Sequence, residues 1–119
     1  MKYLLLIHQG DTPTPRSPEA WATLSEDEQK AVYADYQAIN QTPGVTPGLG
    51  LDAPETATTV RVQDGKTLTT DGPFVETKEA LDGYCIFEAD DLDAAIEMAS
   101  RIPAASMGGA IEIRPIAEW

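Results

Sequence analysis

Lys2-Tyr3-Leu4-Leu5-Leu6-Ile7-His8 is the stretch on which the architecture turns. Rich in large apolar side chains and ended by Gln9-Gly10-Asp11, it reads as a strand. Alternation along a strand puts Tyr3, Leu5 and Ile7 on one face and Leu4, Leu6 and His8 on the other. Both faces are apolar. Leaving two or three such side chains in water costs roughly 3–9 kcal/mol at roughly 1.5–3 kcal/mol each. That is comparable with the roughly 5–15 kcal/mol total stability of a domain. Each face of this strand therefore needs a cover.

Outward from that strand, Thr12-Pro13-Thr14-Pro15-Arg16 reads as a loop, because two prolines in three positions interrupt regular hydrogen bonding. Ser17-Pro18 starts a short helical turn through Trp21. Ser25-Glu26-Asp27-Glu28 is a capping-box pattern opening a helix that runs to about Gln41 and stops before Pro43-Gly44. Its buried stripe is Val32, Tyr36 and Ile39, with Tyr33 on the flank. Val45 to Leu51 holds Pro47, Gly48 and Gly50, so a strand there lies at an edge or is bulged. Thr58 to Gln63 and Lys66 to Thr70 flank Asp64-Gly65, the preferred pair for a two-residue type I′ turn. That turn pairs Gln63 with Lys66, Arg61 with Leu68 and Thr59 with Thr70. Gly83 to Glu88 is a further strand. Asp90 or Asp91 caps a second helix with apolar positions Leu92, Ala95, Ile96 and Ala99, ended by Pro103. Ala110 to Ile116 forms the last strand.

Two helices against a mostly antiparallel sheet make an α+β, ferredoxin-like sandwich in one domain, residues 1–119. Two helices cover only one face of the first strand. A second copy of the chain, packed sheet against sheet, is the simplest cover for the other. The alternative is a monomer in which loops 9–24 and 42–57 fold over that face.

Composition narrows the partners. The net charge is −12, from 20 acidic and 8 basic residues, and no basic stripe stands against it. Such a balance repels phosphate backbones, so direct nucleic-acid binding is not expected. The longest apolar run, Tyr3 to Ile7, is too short to span a bilayer or serve as a secretory signal. One cysteine rules out an internal disulfide, and a cytoplasmic protein is expected. One cysteine and one histidine cannot build a zinc cluster within a chain, and nothing spaces like an EF-hand. No cofactor or metal is expected.

The run Thr70-Asp71-Gly72-Pro73-Phe74-Val75-Glu76-Thr77-Lys78-Glu79 sets charges of both signs beside a rigid turn. A plain connection needs the Gly and Pro but not those charges. This run resembles the Asp-Gly-Pro-Phe signature of the YCII-related (DGPF-domain) proteins. The resemblance extends to the opening strand, Ala57 to Val62, Leu81-Asp82-Gly83-Tyr84, Asp90 to Asp93, Arg101 to Ala105, and Ile111 to Ile116. It implies a dimeric α+β barrel and, for DGPF-type members, frequent association with extracytoplasmic-function sigma factors. Some smaller YCII-like proteins carry a His–Asp pair proposed as an active site. The first helix here has no histidine and Arg101-Ile102-Pro103-Ala104 no aspartate, so that pair does not carry over.

The candidate acid–base residues are His8, at a strand end, with Asp71 and Glu76 in the signature run. Glu76 and Lys78 share one face if residues 75–79 are extended, and such a pair binds a polar substrate or shifts each partner's proton affinity. Arg61 and Arg114 suit a carboxylate or phosphate, while Gly72, Phe74, Lys78 and Tyr84 complete the candidate ligand-binding set. Each has a plainer role as ion pair, turn or core residue. No Ser-His-Asp set, Walker loop or dinucleotide fingerprint is present. Two readings stand side by side. One is a homodimer with a small-polar-molecule pocket near the Asp71–Glu79 loop, with acid–base chemistry if it is an enzyme. The other is a non-catalytic binding or regulatory module of a sigma-factor system.

Overall fold

The computed structural model describes residues 1–71 and 81–118, with the backbone path alone for Thr70 and Asp71. Four strands form an antiparallel sheet in the order β2-β5-β1-β6, namely Val45–Gly50, Leu81–Glu88, Lys2–His8 and Ala110–Pro115. β1 is central, pairing with β5 on one side and β6 on the other. A separate two-stranded sheet joins β3 (Thr58–Gln63) to β4 (Lys66–Asp71). The helices are α1 (Pro18–Trp21), α2 (Glu26–Asn40), α3 (Leu92–Ser100) and α4 (Pro103–Ser106), with a 3-10 turn at Pro54–Thr56. This is an α+β arrangement compatible with a ferredoxin-like sandwich.

Local chemistry accounts for the boundaries. Ser25 Oγ accepts from the Glu28 amide at 3.1 Å and the Glu28 carboxylate accepts from the Ser25 amide at 2.9 Å, completing the capping box of α2. Hydrogen bonding to the Ser25 amide first, and to the Ser25 side chain second, holds the Glu28 carboxyl below its ordinary pKa. Asp91 caps α3 by accepting from the Ala94 amide at 2.9 Å. In the hairpin, Asp64 and Gly65 both adopt positive φ (51° and 75°), as a type I′ turn requires. The pairs Gln63–Lys66, Arg61–Leu68 and Thr59–Thr70 form as the turn dictates. β2 is an edge strand, and its pairing with β5 is irregular between Pro47 and Gly50.

The core lies between the helices and one sheet face. Tyr3, Leu5 and Ile7 of β1 are buried there with Cys85, Ile39, Ala95, Met98, Ile102 and Ala104. One expectation needs correction. The buried positions of α3 are Ala95, Met98 and Ala99, while Leu92 and Ile96 are exposed. Ala95 and Ala99 are buried as expected, and Met98 and Ile102 complete the i, i+3, i+4, i+7 spacing in place of Leu92 and Ile96. The two alanines let the helix approach the sheet closely and Met98 fills the remaining space.

Leu4, Leu6, Tyr84 and Ile86 are on the other face of the sheet, paired across β1 and β5 as Leu4–Ile86 and Leu6–Tyr84. They are partly exposed, and Leu4 and Leu6 alternate with the buried Tyr3, Leu5 and Ile7. No helix among the described residues is long and apolar enough to cross a membrane.

Candidate functional site

The loop after β1 builds one wall of a cavity. Gly10 turns back at φ 55°, where a Cβ would stand 2.3 Å from the Gly108 carbonyl oxygen. The Asp11 amide donates to that same oxygen at 3.1 Å, which ties the loop to the approach of β6. The chain then runs through Thr12-Pro13-Thr14-Pro15 to Arg16. Beyond it, Trp21 meets Tyr33 of α2 edge to face, with ring centroids 5.5 Å apart. Gln29 donates to the Trp21 carbonyl at 3.0 Å, so α2 holds the far end of the loop.

The opposite wall is β5, where a bulge decides which side chain enters. Ile7 pairs with Gly83 but His8 pairs with Leu81, leaving Asp82 as the extra residue. A bulge re-aims the side chain at the irregularity. Asp82 accepts a hydrogen bond from Arg16 Nη1 at 2.6 Å, an ion pair that joins loop to sheet. Arg16 needs the glycine beside it, because a Cβ on Gly50 would lie 2.2 Å from its Nη2.

The space enclosed is a cavity of about 370 Å³, at the small end of the roughly 300–1,000 Å³ typical of ligand pockets. Ile7, Val32, Ile39 and Ile102 give it an apolar floor, with Trp21, Tyr33 and Tyr36 as aromatic walls. Arg16 and Asp82 are the charged groups on its described lining. Thr12 and Thr14 also line it, and both are more than nine-tenths buried. Neither Oγ1 finds a hydrogen-bond partner among the described residues. Leaving a buried hydroxyl unpaired costs about 1–3 kcal/mol, so these two atoms are the site's least satisfied groups.

Burial raises the Asp82 pKa above its ordinary value of 3.8, opposed by the charge and hydrogen bond of Arg16. Burial also raises Tyr36 to about 12, helped by the Asp82 charge and opposed by Arg16. At neutral pH Tyr36 is therefore a hydrogen-bond donor and not a base. Asp82 is the carboxyl on this lining suited to exchange a proton, since its neutral form is favoured by burial. Cys85 lines the same space and its thiol is raised by burial, which disfavours the thiolate.

Of the residues singled out in the sequence, Tyr84 borders this cavity through its place on β5, while its side chain shares the open sheet face with Leu6. His8 and Arg114 sit elsewhere, on the open sheet face with Leu6. There His8 Nε2 lies 3.1 Å from Glu112 Oε1, and Arg114 Nε lies 3.9 Å from Glu112 Oε2. Arg61 is on β3, and Asp71 is the last residue of β4. Gly72, Phe74, Glu76 and Lys78 lie outside the described residues. The cavity's own polar groups, Arg16, Asp82, Tyr36, Thr12 and Thr14, were not among the candidates. The available signal for Asp82 was Asp-Gly at the start of a strand, since glycine inside a strand marks a bulge.

The sequence profile of the YCII-related domain matches residues 1–119. The chain belongs to the YCII-related family. An uncharacterized protein of Rhizobium meliloti (strain 1021) is 34% identical over 122 aligned positions, covering 98% of this chain and 93% of that protein. Membership of the YCII-related family leaves the reaction open, so the chemistry has to be read from the cavity itself.

Proposed function

We propose that this YCII-related protein, one domain over residues 1–119, binds a small polar molecule in the cavity between the 9–17 loop, α2 and β5. The observation that carries this reading is the pair of buried hydroxyls of Thr12 and Thr14, unpartnered among the described residues, on the lining of a cavity of about 370 Å³ that also holds the Arg16–Asp82 pair. Hydroxyls in such surroundings are satisfied by a ligand that supplies acceptors or donors. Arg16 already faces Asp82, so the described lining has no surplus positive charge. An uncharged or singly anionic ligand fits that balance, and a polyphosphate does not. The apolar floor and aromatic walls favour a ligand with one oil-like side.

If the site is catalytic, Asp82 is the proton-transfer group and Tyr36 the donor that orients the substrate. His8, Asp71 and the Glu76–Lys78 pair remain proposed participants, to be tested alongside Asp82. The reading includes a homodimer. Leu4, Leu6, Tyr84 and Ile86 form a partly exposed apolar sheet face, and a second copy packed against it makes the dimeric α+β barrel.

A thermal-shift screen against a metabolite panel tests the pocket, since a ligand at 100 times its Kd stabilises by about 2.7 kcal/mol. The expected hit raises the Tm of the wild type and loses most of that rise in Thr14→Val and Asp82→Asn. A hit whose shift survives both substitutions but vanishes in His8→Ala would move the site to the open sheet face and overturn the assignment.

A further inference from the structure

The cavity lining is rich in side chains that give hydrogen bonds and poor in those that only take them. Thr12 and Thr14 bring buried hydroxyls with no partner among the described residues. Pro13 and Pro15 carry no amide hydrogen, and the Thr12 amide is spent on the Gln9 carbonyl at 2.9 Å. The two hydroxyls are therefore the chief donors that this wall turns to a ligand. Tyr36, its pKa pushed up to about 12, keeps its proton at neutral pH. A guanidinium has five N–H donors, and among the described residues Arg16 commits one nitrogen, Nη1, to Asp82. Asp82 is the one side chain on the described lining that accepts only when ionised, and Arg16 already engages it.

We propose that the cavity takes a small monocarboxylate, its carboxylate held by Thr12, Thr14, Tyr36 and Arg16 and its apolar body by Val32, Ile39 and Trp21. The inference rests on the pocket reading above and names the class of ligand for it. An ionised carboxyl group accepts at about four lone-pair positions and donates nothing. That complements the four donor side chains. An amide head brings N–H donors to a lining already rich in them, and an ammonium brings donors alone. A phosphate dianion adds two negative charges where the one guanidinium already faces a carboxylate. A carboxylate adds a single charge, and its bonds to Arg16 are of the stronger, charge-assisted kind. Gly50 then becomes a specificity-determining residue. A Cβ there would collide with Arg16 Nη2 and push the guanidinium off its place. The collision is with the end of a flexible side chain, and Gly50 is not among the glycines with positive φ, so alanine leaves the backbone unstrained.

The test is calorimetric binding of phenylacetate and hexanoate, each beside its primary amide, to wild type, Thr14→Val, Gly50→Ala and the sheet-face control Arg114→Met. Each amide matches its acid in shape and lacks the charge. Wild type should bind the acids at least about tenfold more tightly than the amides. Gly50→Ala should cut acid affinity at least about fivefold and amide affinity less than about twofold, a change of preference that a general loss of fold does not produce. Thr14→Val should weaken both, and Arg114→Met neither. Amides that bind as tightly as acids, and are lost in Thr14→Val, would overturn the carboxylate and leave the pocket standing. Equal losses of acid and amide in Gly50→Ala would overturn the part given to Gly50 and Arg16. Acids that survive Thr14→Val and Gly50→Ala but are lost in Arg114→Met would overturn carboxylate and pocket together. Failure of both acids to bind at millimolar concentration would overturn the carboxylate class, and the metabolite screen then judges the pocket by itself.

Discussion

Leu5 and Leu6 are adjacent residues on the same central strand, yet Leu5 is fully buried while Leu6 remains partly exposed. Their neighbours repeat the contrast: Tyr3 and Ile7 lie under the helices, and Leu4 and His8 lie on the open side. Side-chain chemistry does not separate the two sets. The number of layers does, because the helices of one chain form one layer over one face. Burial in the single chain records how many covers that chain supplies, and the proposed homodimer is the source of a second one.

Truncation gives the largest effect expected from this contrast. Leu5→Ala should cost about 2–5 kcal/mol in urea unfolding, from lost transfer energy and the cavity left behind. Leu6→Ala should cost under about 1 kcal/mol at concentrations where the chain is monomeric. With the proposed homodimer, its penalty should then grow with protein concentration, because dimerisation would couple to folding. Equal losses for the two leucines at the lowest concentration would break the comparison, because they would mean that the chain itself covers both faces.

Much of this architecture was legible from residues 1–71 and 81–118. The hairpin register follows from Asp64-Gly65, a pair that favours the type I′ turn, whose twist matches that of the strands. The α2 boundaries follow from Ser25 and Glu28, whose side chains act on amides three residues away. The cavity was not legible in the same way. Arg16 and Asp82 are 66 residues apart, and no local rule brings them together. Their meeting depends on the β5 bulge and on the absence of a side chain at Gly50. Of the expected α3 stripe, Ala95 and Ala99 are buried, while Leu92 and Ile96 are exposed and Met98 is buried in their place. Close approach to the sheet favoured the small residues over the large ones.

A smaller effect separates the cavity side from ordinary core. Replacing a buried threonine with valine usually harms a protein by breaking a hydrogen bond. Thr12 and Thr14 make none with their hydroxyls among the described residues. Thr14→Val should therefore stabilise the ligand-free protein by about 1 kcal/mol in urea unfolding, while weakening whatever ligand the screen finds. A destabilised Thr14→Val protein would show that its hydroxyl is already paired, and would remove the strongest reason for placing a ligand there.

The smallest effect concerns titration on that same side of the sheet. Tyr36 has a folded-state pKa of about 12 against an ordinary 10.0. Folding therefore favours its protonated form. That contribution is complete below pH 10 and is lost as pH climbs through about 12. Asp82 obeys the same sign at the acid end. Its pKa is raised above 3.8, so its contribution is complete below that value and declines as pH rises through the higher folded value. Absorbance of tyrosinate on a pH ramp should show a late-titrating component that Tyr36→Phe removes. The charges beside it act in opposite directions, since Asp82 raises the Tyr36 value and Arg16 lowers it. Asp82→Asn should thus bring the late component down, and Arg16→Met should push it up. A Tyr36 titration indifferent to both substitutions would mean that the loop and the β5 bulge do not meet at this cavity in solution.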